Sequence, residues 1–362
     1  MAATTLTDNG YPSAKELTFG IEYEFLVHIN ITDLSEEEKR TLTADFASSL
    51  PRHTVRLMAD AIRERLDALG LQHAAEKAWI VKTDHSVKPD FTLANAGKFS
   101  SFAGLEITTP KMQNQAAALD ECVKVARELV AHPEVRFSNS CGLHVHVGHA
   151  GEGLSLLASQ KLFSVLFLGG EQILNTLFRK DRRNNYYCRD ITKHSAVAKI
   201  SAQGQRLPGA VPEEWVTACF PPDFPAVEEY QKNRFAMDTI WKAATIEEFV
   251  EVIGDDGMGY SWTHLPSHAF NPTETIEFRK AEGSLDRPMN LDFVSDWPQV
   301  CMGLVAFAID ADPQELERVI RGVGTALRAE SNEEKVRVFL RSLKLDETLV
   351  VRLAERAKEL SG

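Results

Sequence analysis

The stretch "TFGIEYEFLV" (residues 18–27) alternates apolar and polar side chains in the manner of a β-strand. Side chains alternate across a strand, so Ile21, Tyr23 and Phe25 form one stripe. Glu22 and Glu24 then share the other face, roughly 7 Å apart. No Lys or Arg lies between Lys15 and Lys39 to neutralise them locally. Two crowded carboxylates repel or shift their pKa unless something cationic stands nearby, so this strand predicts a partner for its acidic face.

The pattern recurs along the chain. In "CGLHVHVGH" (141–149), His144 and His146 share a face opposite Val145 and Val147. In "TETIEFRK" (273–280), Glu277 and Arg279 stand opposite Ile276 and Phe278. "GLEITTP" (104–110) turns Glu106 away from Leu105 and Ile107, and Asp84 ends the strand "AWIVKTD" (78–84). If these strands share a sheet, its polar face gathers carboxylates and imidazoles, the ligand types of divalent cations. Each motif alone has a plainer reading. Glu-x-Glu makes a solvated face, His-x-His a pair of hydrogen-bonded imidazoles, and Glu-x-Arg a salt-bridged face. Their conjunction, each opposed by an apolar stripe, favours metal binding.

Helical periodicity fills much of the remainder. It is read over 33–69 with a break at Pro51, where Leu57, Ile62, Leu66 and Leu69 recur and Gly70 suits the C-cap. Further helices are expected over 114–132, over 154–179 as one long buried helix, and from about 290 to the end. Short strands are expected at 134–138 and 142–149, and at 261–270 paired with 273–280. Residues 200–227 hold five prolines and read as an excursion or lid, within a 200–260 insertion. The expected organisation is a disordered tail (1–15), a catalytic domain (16–310) and a C-terminal helical segment (311–362). The fold class is α+β, with helices packed on one side of the sheet.

Composition narrows the function classes. The chain has 362 residues and a formal net charge of −12, from 52 acidic and 40 basic residues. That balance argues against a general nucleic-acid binder, which needs a basic surface. Five cysteines with no Cys-x-x-Cys fit reduced thiols in a cytoplasmic protein. The first residues lack the apolar core of a secretory signal, and the run at 162–168 is too short to span a bilayer. No membrane partner is expected.

FGIEYEF, KTDHS, GLEITTP, CGLHVHVG, RRNNYYC (182–188), NRFAMD and TIEFRKAEGSLD occur in this order over roughly residues 16–310. That series resembles the amidoligase family, a branch of the carboxylate–amine ligases related to glutamine synthetase and glutamate–cysteine ligase. The resemblance implies a curved antiparallel sheet forming a funnel, with helices on its outer face, in which Mg²⁺ ions lie between ATP and an acid substrate. It implies Glu22, Glu24, Glu106 and Glu277 as metal ligands, with His144 or His146 as the histidine ligand. Arg279 would face the transferring phosphate or the substrate carboxylate, and Asp84 would be a ligand or an amine-orienting base. Arg182 and Arg183, in "RKDRR" (179–183), would hold phosphate, although a basic helix end is the plainer reading. Two departures keep a hydroxyl: Thr109-Pro110 replaces the family's Ser-Pro, and Ser284 stands where Thr is common.

Other features carry less. Cys141 beside the His-x-His raises a Cys–His nucleophile, against the commoner buried structural cysteine. "GDDGMG" (254–259) lacks the Lys and helix start of a phosphate loop and reads as a turn or lid. Tyr187 and Asn185 have no assignable role. The first functional expectation is an ATP- and Mg²⁺-dependent ligase joining small-molecule or peptide carboxylates to amines through an acyl phosphate. The second is a Zn²⁺-dependent hydrolase built on His144, His146 and a carboxylate. The third is a non-catalytic descendant acting as a binding protein. Oligomeric state is not legible.

Overall fold

The computed structural model describes residues 11–30, 52–71, 79–84, 86–89, 100–149, 153–183, 185–202, 212–221, 230–254, 257–265 and 274–361. Among the described residues, eight strands form one sheet: β1 (Leu17–Asn30), β2 (Ile80–Thr83), β3 (Ser100–Thr108), β4 (Met112–Gln113), β5 (Val135–Arg136), β6 (Gly142–His149), β7 (Tyr260–Ser261) and β8 (Thr275–Glu282). Their order is β2-β3-β1-β6-β8-β7, with β4 and β5 also pairing β1. The fold is α+β, with an open antiparallel sheet and helices, as the alternation implied. The β1–β3 register sets Glu24 opposite Glu106, and the β2–β3 register sets Lys82 opposite the same Glu106.

The apolar stripes are buried as the sequence indicates. Ile21, Tyr23 and Phe25 of β1, Leu105 and Ile107 of β3, Val145 and Val147 of β6, and Ile276 and Phe278 of β8 all lie in the core. The polar faces of these strands are also substantially covered, since Glu24, Glu106, His144 and Glu277 are buried too. A carboxylate in such a place needs a partner, because desolvating a charge is costly otherwise.

The helix Arg52–Ala68 ends where expected, with Leu69 and Gly70 donating back into its last turn and Gly70 at φ +61°. Between 154 and 179 the single long helix is replaced by pieces. An α-helix over Leu156–Val165 widens into a π-turn over Leu166–Gly170, with Gly169 at φ +132°. Short helical turns Glu171–Leu174 and Asn175–Leu177 follow. At Gly169 a Cβ would lie 2.9 Å from Val323 and 2.7 Å from Leu327, and its positive φ interrupts the regular helix, so the position is suited to glycine.

Within the 200–260 segment, helices run over Glu213–Cys219, Tyr230–Ile240 and Ile246–Ile253, so the described part is largely helical. The remainder of the expected lid at 203–211 and 222–229 lies outside the described residues, as do 266–273 and the first half of the helix expected over 33–69. The C-terminal helices Pro288–Asp310, Pro313–Arg328, Asn332–Ser342 and Glu347–Glu359 follow the helical reading. Asp312, Ser331 and Asp346 cap the last three through side-chain oxygens. Pro12–Glu16 forms a 3₁₀ turn, Tyr11 is buried, and its hydroxyl donates to Glu315 at 2.6 Å. Residues 1–10 lie outside the described part.

The chain groups into two compact units. The first comprises Met1–Phe19, His146–Lys280 and Asp296–Gly362; the second comprises Gly20–Val145 and Ala281–Ser295. All five cysteines are fully buried thiols, Cys122 and Cys141 in the second unit and Cys188, Cys219 and Cys301 in the first. Among the described residues, no helix is long and apolar enough to cross a membrane.

Candidate functional site

In the second unit the acidic face of β1 meets its neighbours. Each of Glu24, Asp84 and Glu106 offers one carboxylate oxygen, and these oxygens lie within 4.8 Å of one another. Strand pairing explains Glu24 and Glu106, which face each other directly. Asp84 arrives through a turn laid against β3. Its backbone N–H donates to Gly104 O at 2.9 Å, and its Oδ1 accepts from both the N–H and the hydroxyl of Ser86 at 2.7 Å. Any side chain at 104 would overlap this turn, since a Cβ there would lie 2.3 Å from Asp84 O and 2.7 Å from Val87 O. Glycine is required for the close approach that brings Asp84 to the other two acids.

His144 stands between the two β1 carboxylates, with Nδ1 3.3 Å from Glu22 Oε2 and Nε2 3.6 Å from Glu24 Oε1. Glu24 Oε2 also accepts the Gly142 N–H at 2.5 Å. Lys82 approaches from β2, its Nζ 2.9 Å from Glu106 Oε1, the oxygen that also accepts the Thr108 hydroxyl at 2.7 Å. Burial first, and the charge of Glu22 second, push the Glu106 carboxyl above its ordinary pKa, against the pull of Lys82 and Thr108. Burial alone would lower the Lys82 ammonium, but its bond to Glu106 and the charges of Glu106, Glu22 and Asp84 outweigh that and raise it.

The first unit holds a different constellation around β8. Glu277, only 3% exposed, receives the Arg279 guanidinium at 2.7 Å and has His264 Nε2 3.3 Å from the same oxygen, Oε2. His146 Nε2 stands 3.8 Å from Oε1 of Glu277, and its Nδ1 is 3.3 Å from the Thr275 hydroxyl. The His146 and His264 rings are 5.6 Å apart. Within the second unit His144 pairs with the β1 carboxylates, and within the first His146 pairs with the β8 carboxylate.

Arg182 and Arg183 have structural work in the same unit. Arg182 is buried and donates to Arg279 O at 2.8 Å, and Arg183 donates to Phe178 O at 2.7 Å and Thr176 O at 3.4 Å. Lys280 follows Arg279 on the apolar face of β8, fully buried, with Nζ 2.7 Å from Asp190 and 3.1 Å from Glu171. Its side chain runs across Gly259, where a Cβ would lie 2.1 Å from Lys280 Cε. Burial would lower the Lys280 pKa, but Glu171 and Asp190 raise it, and Lys280 in turn holds the Asp190 carboxyl below its usual range despite burial. Cys141 is wholly buried and accepts the Ser138 N–H on its Sγ at 3.3 Å, a packed core thiol. "GDDGMG" is tied down in part: Gly257 O accepts from Arg189, and Gly259 donates to Arg189 O.

Sequence reasoning missed Lys82, His264 and Lys280. A lysine on a predicted apolar stripe was the signal for Lys280. Lys82 and His264 carry no such mark, because only the register of β2 and the turn after β7 bring them to Glu106 and Glu277.

The family whose model matches the chain is described as a putative amidoligase enzyme, and the match covers residues 15–217. No curated protein matches. The matched span contains β1, β2, β3 and β6 with Glu22, Glu24, Asp84, Glu106, His144 and His146, and it stops before β8. With more than half of its length inside that match, the chain belongs to the putative amidoligase family, a group named for ligase chemistry.

Proposed function

We propose that this protein is an ATP- and Mg²⁺-dependent carboxylate–amine ligase. The observation that carries the reading is the convergence of Glu24, Asp84 and Glu106, three carboxylates with oxygens within 4.8 Å, in a member of the amidoligase family. An all-oxygen, anionic donor set fits Mg²⁺, which takes hard oxygen ligands and keeps several waters. Glu24, Asp84 and Glu106 would hold it, with Glu22 and His144 beside them. Bound there, the cation would supply charge neutralisation for a nucleotide's phosphates.

The residues of the chain suit the remaining tasks. A substrate carboxylate oxygen attacks the γ-phosphorus of ATP, the bond to ADP breaks, and an acyl phosphate forms. The amine nitrogen then attacks the acyl carbon, phosphate leaves, and one proton is lost as the amide forms. Arg279, in the first unit, 23% exposed and paired with Glu277 at 2.7 Å, is a guanidinium of the kind that charge developing on phosphoryl or carboxylate oxygens requires. The substrates are an acid and an amine, each a small molecule or a peptide.

A zinc-dependent hydrolase is the second reading, favoured by the two imidazoles of His146 and His264 around Glu277. The test is nucleotide-dependent coupling. The purified protein is incubated with ATP, Mg²⁺ and mixed acids and amines, and phosphate release is measured with and without each component. The ligase reading expects phosphate only when acid, amine, ATP and Mg²⁺ are all present. Amide cleavage supported by Zn²⁺ without ATP would replace it.

A further inference from the structure

Lys82 is the cationic neighbour of the acidic set, and nothing in the ligase reading uses it. It is the direct register partner of Glu106, and its ammonium lies 2.9 Å from a Glu106 oxygen that the Thr108 hydroxyl also holds. The two ends of this pair differ in exposure. The Glu106 side chain is 7% exposed and fixed, whereas that of Lys82 is 52% exposed, on a stem that can turn into solvent.

A divalent cation held by Glu24, Asp84 and Glu106 would draw on the same negative charge. The ammonium and the cation repel at such range, and the buried carboxylate can be neutralised by either. We propose that Lys82 is a tethered competitor for the divalent cation on Glu106, displaced when Glu24, Asp84 and Glu106 take up the ion. The proposal rests on the assignment of these three carboxylates to a cation.

Binding of Mn²⁺ as the probe, followed by the loss of its free electron-paramagnetic-resonance signal, separates the two levels. The full-length protein is titrated without nucleotide, and Mg²⁺ is added as competitor. Lys82→Met removes the competing charge and is expected to tighten Mn²⁺ by roughly fivefold, the scale of one partly screened unit charge. Lys82→Arg, which keeps the charge, should restore the wild-type affinity. The double variant Lys82→Met/Glu106→Gln should lose the gain, because no carboxylate remains to compete for. If Mn²⁺ binds and Glu106→Gln weakens it while Lys82→Met leaves it equal or weaker, Lys82 supports the site and the competition is overturned. If the wild-type protein binds no Mn²⁺, or Glu24→Gln and Glu106→Gln leave binding untouched, the cation site itself fails and the role of Lys82 with it.

Discussion

Glu24 and Glu106 stand opposite one another on neighbouring antiparallel strands, two buried carboxylates in direct register. Like charges so placed destabilise a sheet, and this pair is held by Lys82, His144 and the Gly142 N–H. Glu24→Gln and Glu106→Gln should each leave the protein folded and remove a Mg²⁺-dependent rise in melting temperature. Circular dichroism checks the fold and a thermal-shift titration checks the rise; a rise unchanged in both variants would remove these residues from the cation site.

Arg279 reaches Glu277 with a planar fork that a lysine cannot reproduce. Arg279→Lys should lower turnover by about tenfold to a hundredfold, the cost of one charge-assisted hydrogen bond at the reacting group. Steady-state kinetics on the acid and amine pair found in the coupling assay give the number. Equal kcat in the variant would reduce Arg279 to a sheet-face salt bridge.

Lys280 neutralises Glu171 and Asp190 in the core of the first unit, where Glu171 also accepts the Ile191 N–H on both oxygens. Lys280→Met strands a buried charge and should cost about 3 kcal/mol in urea unfolding. Lys280→Met/Glu171→Gln should recover part of that loss, since the double variant no longer buries the unpaired acid. Additive losses in the two single variants and the pair would show that the residues are not coupled.

Lys161 is buried with its ammonium on the carbonyls of Ile309 and Ala311, and burial lowers its pKa to about 8 despite Asp310 and Asp312. The unfolded chain therefore binds more protons than the folded one between about pH 8 and the ordinary lysine value. Stability contributed by this group rises with pH across that window and is flat below it. Lys161→Met should flatten that rise, as read from denaturation midpoints at a series of pH values from 7.5 to 10. Parallel profiles for the two proteins would contradict the assignment.

Glu315 has the opposite sign. The Arg318 guanidinium, then Lys344 and the Tyr11 hydroxyl, hold its carboxyl at about 2 against a smaller push from burial. Its contribution is complete above the ordinary carboxylate value and is lost as pH falls from there through about 2. Glu315→Gln should weaken the protein at neutral pH and make its acid limb shallower. Acid titration followed by tryptophan fluorescence reads both.

The sheet was legible because alternation with period two is a local signal. Gly142–His149 is a strand over the residues that carry the His-x-His pattern, and the stripes of β1, β3 and β8 point as their sequences say. Lys280 was harder. It shares the parity of Ile276 and Phe278, and a lysine on that face makes sense only once Glu171 and Asp190, distant in sequence, are seen to meet it. The break after Val165 was hidden for the same reason. Gly169-Gly170 alone does not end a helix, and the neighbours that leave room only for glycine at 169, Val323 and Leu327, come from a segment far along the chain. The acids of the candidate site could be named from sequence, but their lysine and histidine neighbours could not, because register and turns set those contacts.

The five sealed cysteines give each unit its own clock. A thiolate must reach solvent before an alkylating reagent can take it, so labelling of Cys122 and Cys141 times the opening of one unit and labelling of Cys188, Cys219 and Cys301 the other. Peptide mass spectrometry after brief exposure to iodoacetamide would order these events without engineering any reporter residue, and it would show which unit a substrate or cation holds closed.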